Sequence, residues 1–149
     1  MVNLGDHMTK VYCATKGLIL KDGKFLVIRQ VIEGKKFIDI PGGRMKFGAS
    51  PKENLVREIK EELNLDVKIE KLVGVWYFFR AKDNDQVVCI TYLCTPLKKE
   101  IDLGKNPDDE EYITEYLWVK PEEFSELEGD PFEGLETLKK LVKDYFNIN

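Results

Sequence analysis

Hydrophobic and polar positions along the chain alternate in some stretches and recur at helical spacing in others. Residues 10–20 (KVYCATKGLIL) and 24–30 (KFLVIRQ) are β-rich runs on either side of Lys21-Asp22-Gly23, the pattern of a hairpin closed by an Asp-Gly turn. Residues 36–40 form a short strand that stops at Pro41-Gly42-Gly43. Ser50-Pro51-Lys52-Glu53 then opens a helix, with Ser as N-cap, Pro at the first helical position and Glu at the third. The helix runs to about Leu63, and Asn64 can take the left-handed conformation that ends it. Two long strands follow, 67–80 and 86–97, turning at Lys82-Asp83-Asn84-Asp85. Residues 97–109 are polar and contain Gly104 and Pro107, which predicts a loop. Residues 113–119 read as a strand and 121–124 as a short turn. Residues 132–146 have helical periodicity, with Leu135, Leu138, Val142 and Tyr145 on one face. This order predicts an α/β fold in which a mixed sheet lies between helices.

With 149 residues, the chain is expected to form one domain, 1–149, in which residues 1–8 are a loose tail. A net charge of −4 argues against a protein that binds nucleic acid or anionic membrane by bulk attraction. It leaves room for a phosphorylated substrate, because a divalent cation can invert the local field. No apolar run reaches the roughly 18 residues of a membrane span, and MVNLGDHMTK has no secretory hydrophobic segment, so a cytoplasmic location is expected. Cys13, Cys89 and Cys94 sit in or beside apolar strand-like runs and read as buried, reduced thiols.

The helix that opens at Ser50 carries the sharpest signal. At about 100° per residue, Leu55, Val56, Ile59 and Leu63 share the core arc. Glu58, Glu61 and Glu62 share the neighbouring arc, and Glu58 and Glu62 border the apolar stripe. Like charges at these spacings cost about 0.2–0.5 kcal/mol per pair, and the C-terminal half of a helix disfavours negative charge. Arg57, with Glu53 and Glu61 one turn away on either side, can neutralise only part of the cluster. A cation bound by the three carboxylates would remove the repulsion, and hard oxygens suit Mg²⁺ or Mn²⁺. The alternative is a solvated acidic face. The Gly42-Gly43 turn just before the helix allows close approach of a ligand to the backbone.

Together, residues 43–65 resemble the Nudix box, G-x5-E-x7-R-E-U-x-E-E-x-G-U with U aliphatic. Gly43, Arg57-Glu58, Ile59, Glu61-Glu62 and Leu65 match at the right spacing, whereas Ala49 stands at the first Glu and Asn64 at the last Gly. The resemblance implies the α/β/α sandwich of that family. It also implies Mg²⁺- or Mn²⁺-assisted hydrolysis of a nucleoside diphosphate linked to another group. By position, Glu58, Glu61 and Glu62 would ligate the metal together with the Gly42 carbonyl, and Arg57 would orient the glutamates. The base that takes the proton of the attacking water would be a box glutamate or a later loop carboxylate, here Glu110 or Glu111. A solvated acidic loop is the plainer reading of those two. Asn64 replaces Gly at a left-handed cap at little cost. Ala49 removes a carboxylate that supports the site in relatives, which bears on metal number and rate.

Substrate choice lies outside the box. The absence of Pro from residues 66–95 speaks modestly against ADP-ribose, and the small size resembles MutT-type nucleoside triphosphate pyrophosphohydrolases. Arg29, Gly43 and Arg44 are candidate substrate contacts, with a plain surface role as the alternative for Arg29. In Trp76-Tyr77-Phe78-Phe79 alternate rings face opposite sides of a strand, one pair toward the core and the other toward a base or a homodimer contact. Tyr116 and Trp118 allow the same two uses. The leading expectation is a hydrolase acting on a nucleotide-type small molecule. A catalytically weak nucleotide sensor is the alternative, and an isomerase of prenyl diphosphates would need acid/base residues that cannot be placed.

Overall fold

The computed structural model describes residues 9–32, 34–80, 84–98, 100–103, 111–127 and 133–149. The predicted strands and helices form close to their expected limits. Strand β1 (Lys10–Lys21) turns through Asp22 and Gly23 into β2 (Lys24–Ile32). Both turn residues have positive φ, 53° and 78°, which matches the right-handed twist of the hairpin arms. β3 (Lys35–Asp39) is followed by β4 (Gly42–Arg44), a three-residue strand where only a turn was expected. Helix α1 (Pro51–Leu63) begins as the pattern requires: the Ser50 hydroxyl accepts from Glu53 N at 3.2 Å. It ends at Asn64, whose φ of 51° lets its N–H close on Lys60 O at 2.9 Å. β5 (Val67–Arg80), β6 (Asp85–Pro96), β7 (Glu111–Val119), α2 (Pro121–Phe124) and α3 (Glu133–Phe146) complete the order.

The sheet runs β3-β2-β1-β6-β5, with β4 added to β1 and β7 to β2. It is mixed because β1 and β6 run parallel over Lys10–Ile19 while the other pairs are antiparallel. One face packs Leu55, Ile59 and Leu63 of α1 against Ile19, Leu26, Ile28 and Cys94. The other packs Leu135, Leu138 and Val142 of α3, with Phe124 of α2, against Leu18, Phe25, Val27 and Trp76. This is the expected α/β/α sandwich. The strand alternation also holds: Trp76 is buried toward α3, whereas Tyr77 and Phe79 are exposed on the opposite face. At the outer edge, the Thr137 hydroxyl of α3 donates to Tyr77 O at 2.6 Å and accepts from Tyr77 N at 3.3 Å. That clasp occupies edge groups which would otherwise be open to another strand. Burial pushes the Cys89 and Cys94 thiols up to about 12, as expected for inert core cysteines, whereas Cys13 is half-buried. No described helix is long and apolar enough to cross a membrane.

Two details of α1 correct the sequence expectation. Val56 is exposed rather than part of the core face, and Asn54 takes the buried place beside Leu55. Core periodicity favours valine over asparagine, but Asn54 points toward β1 and β4, where polar groups need partners.

Candidate active site

The hydrophobic stripe of α1 lays the helix on the sheet so that its next arc meets the glycines of β4. Gly42 pairs with Lys16 and Gly43 with Thr15 across β1–β4. The Gly42 φ of 143° belongs to glycine, and a Cβ there would collide with the Thr15 carbonyl oxygen. At Gly43 the space is filled from the other side: an added Cβ would lie 2.6 Å from the Glu58 carboxyl carbon. Glu62, one turn on, accepts from Gly42 N at 2.9 Å through Oε1. Each glycine therefore receives one glutamate of the helix.

The orienting group is Asn54, which sequence reasoning missed. Its Nδ2 donates to Thr15 Oγ1 at 2.9 Å and to Gly43 O at 3.2 Å. Its Oδ1 accepts from Arg57 Nη2 at 2.7 Å and from Lys46 N at 3.3 Å. A fully buried amide with four partners ties helix, β1, β4 and the following loop together. The available signal was an asparagine at i−3 from the box arginine on a face otherwise apolar. Arg57 then reaches Glu58 Oε1 at 3.1 Å and both oxygens of Glu61 at 3.0 and 3.1 Å. Its partners are thus Glu58 and Glu61, rather than Glu53 and Glu61 as the spacing suggested; the Glu53 backbone instead serves the N-cap.

The electrostatics separate the glutamates. Burial pushes the Glu62 carboxyl up to about 8. Lys16 and the Gly42 N–H pull the other way, while Asp39 and Glu58 add to the rise. Beneath it, Lys16 Nζ and Asp39 Oδ2 form a buried ion pair of 2.8 Å. Burial, the largest single influence, would depress the Lys16 ammonium, but the negative groups around it, Asp39 first and Glu62 among them, together hold it above the ordinary lysine range. Sequence reasoning missed this pair too: a lysine inside an apolar strand is read from the pattern as an outward residue.

Glu58, Glu62 and the Gly42 backbone offer hard oxygens on one side of the turn, a donor chemistry that fits Mg²⁺ or Mn²⁺. Glu61 is turned outward on Arg57, and among the described residues no three acidic, His or Cys side chains stand together as a finished cage. Ala49, half-buried, lies in the turn before Ser50. Arg44 is exposed beside the glycines with its guanidinium 4.4 Å from the centre of the Tyr12 ring. Arg29 is engaged with Glu115 across β2–β7, Nε to Oε1 at 2.6 Å. Glu110 lies outside the described residues; Glu111 opens β7, opposite Ile32, and its side chain also lies outside them.

Comparison with known proteins identifies the family and the fold that carry these residues. The family model described as NUDIX domain matches residues 13–141. A protein named ADP-ribose pyrophosphatase from Methanocaldococcus jannaschii is 31% identical over 133 residues, covering 89% of this chain and 71% of that protein. A MutT-like protein of Streptomyces ambofaciens is 26% identical over 109 residues, and the chain spans 63% of its length. Among solved structures, the MutT protein from Methanosarcina mazei Go1 superposes with a TM-score of 0.78 at 20% identity, covering 93% of this chain and 95% of that one.

Proposed function

The chain belongs to the NUDIX domain family and is a MutT-like pyrophosphohydrolase, and from that premise we propose that it hydrolyses the diphosphate linkage of a nucleoside diphosphate derivative with the help of Mg²⁺ or Mn²⁺. The observation that carries this reading is the pairing of Glu58 with Gly43 and of Glu62 with Gly42. Two carboxylates are brought to a backbone stripped of side chains, where a diphosphate and a cation can approach closely.

In this proposal Glu58, Glu62 and the Gly42 carbonyl would hold the cation, with Glu61, here bonded to Arg57, as a further candidate ligand. The cation supplies Lewis acidity, neutralising the diphosphate oxygens and making a nearby water more acidic. The protein's own groups do the positioning. Asn54 and Arg57 hold Glu58 against Gly43, so its direction is set before substrate arrives. The Gly42 N–H holds one oxygen of Glu62. In the metal-free protein that part-buried carboxyl binds its proton more tightly than an ordinary glutamate. A bound cation would lower that affinity, so a box glutamate is one candidate for the base. Glu110 and Glu111 are the rival source of the base. Arg44, exposed beside the glycines, meets the substrate's phosphates or base. Arg29, already paired with Glu115, is the weaker contact.

The substrate is a nucleotide-type small molecule. The relative named ADP-ribose pyrophosphatase returns ADP-ribose to a panel that the missing proline had placed lower. The test is turnover of nucleoside triphosphates, dinucleoside polyphosphates, nucleotide sugars and ADP-ribose with Mg²⁺, Mn²⁺ or EDTA. Metal-dependent release of phosphate-containing products from at least one, lost in Glu62→Gln, is the expected result. No turnover across the panel, alongside thermal stabilisation by nucleotide, would replace hydrolysis by binding alone. Glu110→Gln and Glu111→Gln retaining kcat would leave a box glutamate as the base.

A further inference from the structure

We infer that the buried Lys16–Asp39 pair is a positioning unit for the reaction, holding the Ile40–Gly42 backbone where it meets Glu62. This rests on the functional reading of Gly42 and Glu62 above. The pair brackets Ile40: Asp39 Oδ1 accepts from Ile40 N at 2.7 Å, and Lys16 Nζ donates to Ile40 O at 3.4 Å. The ion pair itself, at 2.8 Å, closes the bracket. The next peptide is held from the same strand, since Gly17 N donates to Pro41 O at 2.9 Å. The residue after it, Gly42, pairs with Lys16 across β1–β4 and donates its N–H to Glu62. A continuous set of bonds therefore runs from Lys16 and Asp39 to the carboxylate that the reaction uses.

Stability gives a poor reason for this arrangement. Both side chains are nearly sequestered from solvent, at 7% and 11% exposure. Charges buried this deeply are often replaced by apolar groups without loss of stability, whereas removing only one leaves an unpaired charge and is harmful. A pair between two strands also has a simpler apolar substitute, because its neighbours Leu18 and Ile38 are core residues. What an apolar pair cannot supply is a donor and an acceptor for the two backbone groups of Ile40. Lys16 and Asp39 touch neither substrate nor cation in this scheme, so they are positioning residues.

The experiment uses the full chain and two readouts. First, amide hydrogen exchange of the unaltered protein: Ile40 and Gly42 amides should be protected as strongly as amides of the β1–β6 ladder. Exchange at the rate of the exposed Asp22-Gly23 turn would overturn the inference. Second, Lys16→Met with Asp39→Leu removes the charges together. The double variant should melt cooperatively, exchange its Gly42 amide at least about 10-fold faster, and lose about 10- to 100-fold in kcat with KM little changed. Lys16→Met with Asp39→Asn keeps an acceptor for Ile40 N and should recover part of both losses. A folded double variant with unchanged kcat and unchanged Gly42 exchange overturns the inference. If the double variant does not fold, the exchange of the unaltered protein decides alone. Absence of turnover in the unaltered protein would remove the functional reading but leave the exchange result to stand by itself.

Discussion

Glu61 and Glu62 are adjacent in sequence and chemically identical, yet they stand in opposite surroundings. Glu61 lies on the outer side of α1, more than half exposed and forked onto Arg57. Glu62 lies on the inner side, bonded to Gly42 N and raised to about 8 by burial. An exposed pair such as Arg57–Glu61 is screened by water and contributes little. A carboxyl in the inner region feels desolvation, a nearby ammonium and a backbone dipole at full strength. One residue of helical rotation, about 100°, separates a solvated face from a desolvated one.

The strongest way to break the comparison is to neutralise its inner member. Glu62→Gln should lower kcat by about 10² to 10⁴, the usual range for a group that moves a proton, while circular dichroism stays unchanged. Equal kcat for the variant and the parent would move the chemistry away from the inner face.

The glycines come next. Gly42→Ala collides with backbone at a φ of 143° and should destabilise by about 3 kcal/mol or more, read from urea unfolding. Gly43→Ala meets only the end of the Glu58 side chain, which can swing away. It should keep its fold and lose about 10- to 100-fold in metal-dependent activity. Similar stability for the two variants would show that the two glycines serve the same purpose.

A third test follows the proton on Glu62. In EDTA the folded protein holds this proton up to about pH 8, whereas an ordinary carboxyl releases it near 4.5. Between those values the unfolded state carries fewer protons, so stability falls as pH rises. Glu62→Gln removes that fall. Its melting temperature relative to the parent should therefore climb from pH 5 to about pH 8 and then level off. A parallel pair of curves would mean that Glu62 ionises normally.

The smallest effect belongs to the outer face. Glu61→Gln should change metal-free stability by no more than about 0.5 kcal/mol, and that change should shrink in high salt. Its effect on metal-dependent turnover is the sharper measurement, because a role as ligand would require Glu61 to leave Arg57. Full activity would exclude it from the cation's ligands.

Much of this was legible from residue order because it depends on short-range chemistry. The Ser50 cap, the Asn64 stop, the Asp22-Gly23 turn and the buried-and-exposed alternation of Trp76 to Phe79 each follow from a few neighbouring residues. The glutamates bordering the stripe were legible for the same reason, since helical periodicity alone places them. Asn54, the Arg57–Glu58 contact and the Lys16–Asp39 pair were not. Thr15 lies 39 residues from Asn54 and Asp39 lies 23 from Lys16, whereas Arg57 and Glu58 are adjacent, and the pattern scores each as an ordinary polar position.

Residue order alone determined the elements other than β4, most of the two apolar faces of the sandwich and the arc on which three carboxylates sit, because these rest on backbone preference and periodicity. Only the tertiary structure decided which carboxylates turn toward the glycines. It also decided which one is desolvated, and what ion pair lies beneath it. Desolvation and hydrogen bonding are set by everything within a few ångströms, and those neighbours come from β1, β3 and β4 as well as from the helix.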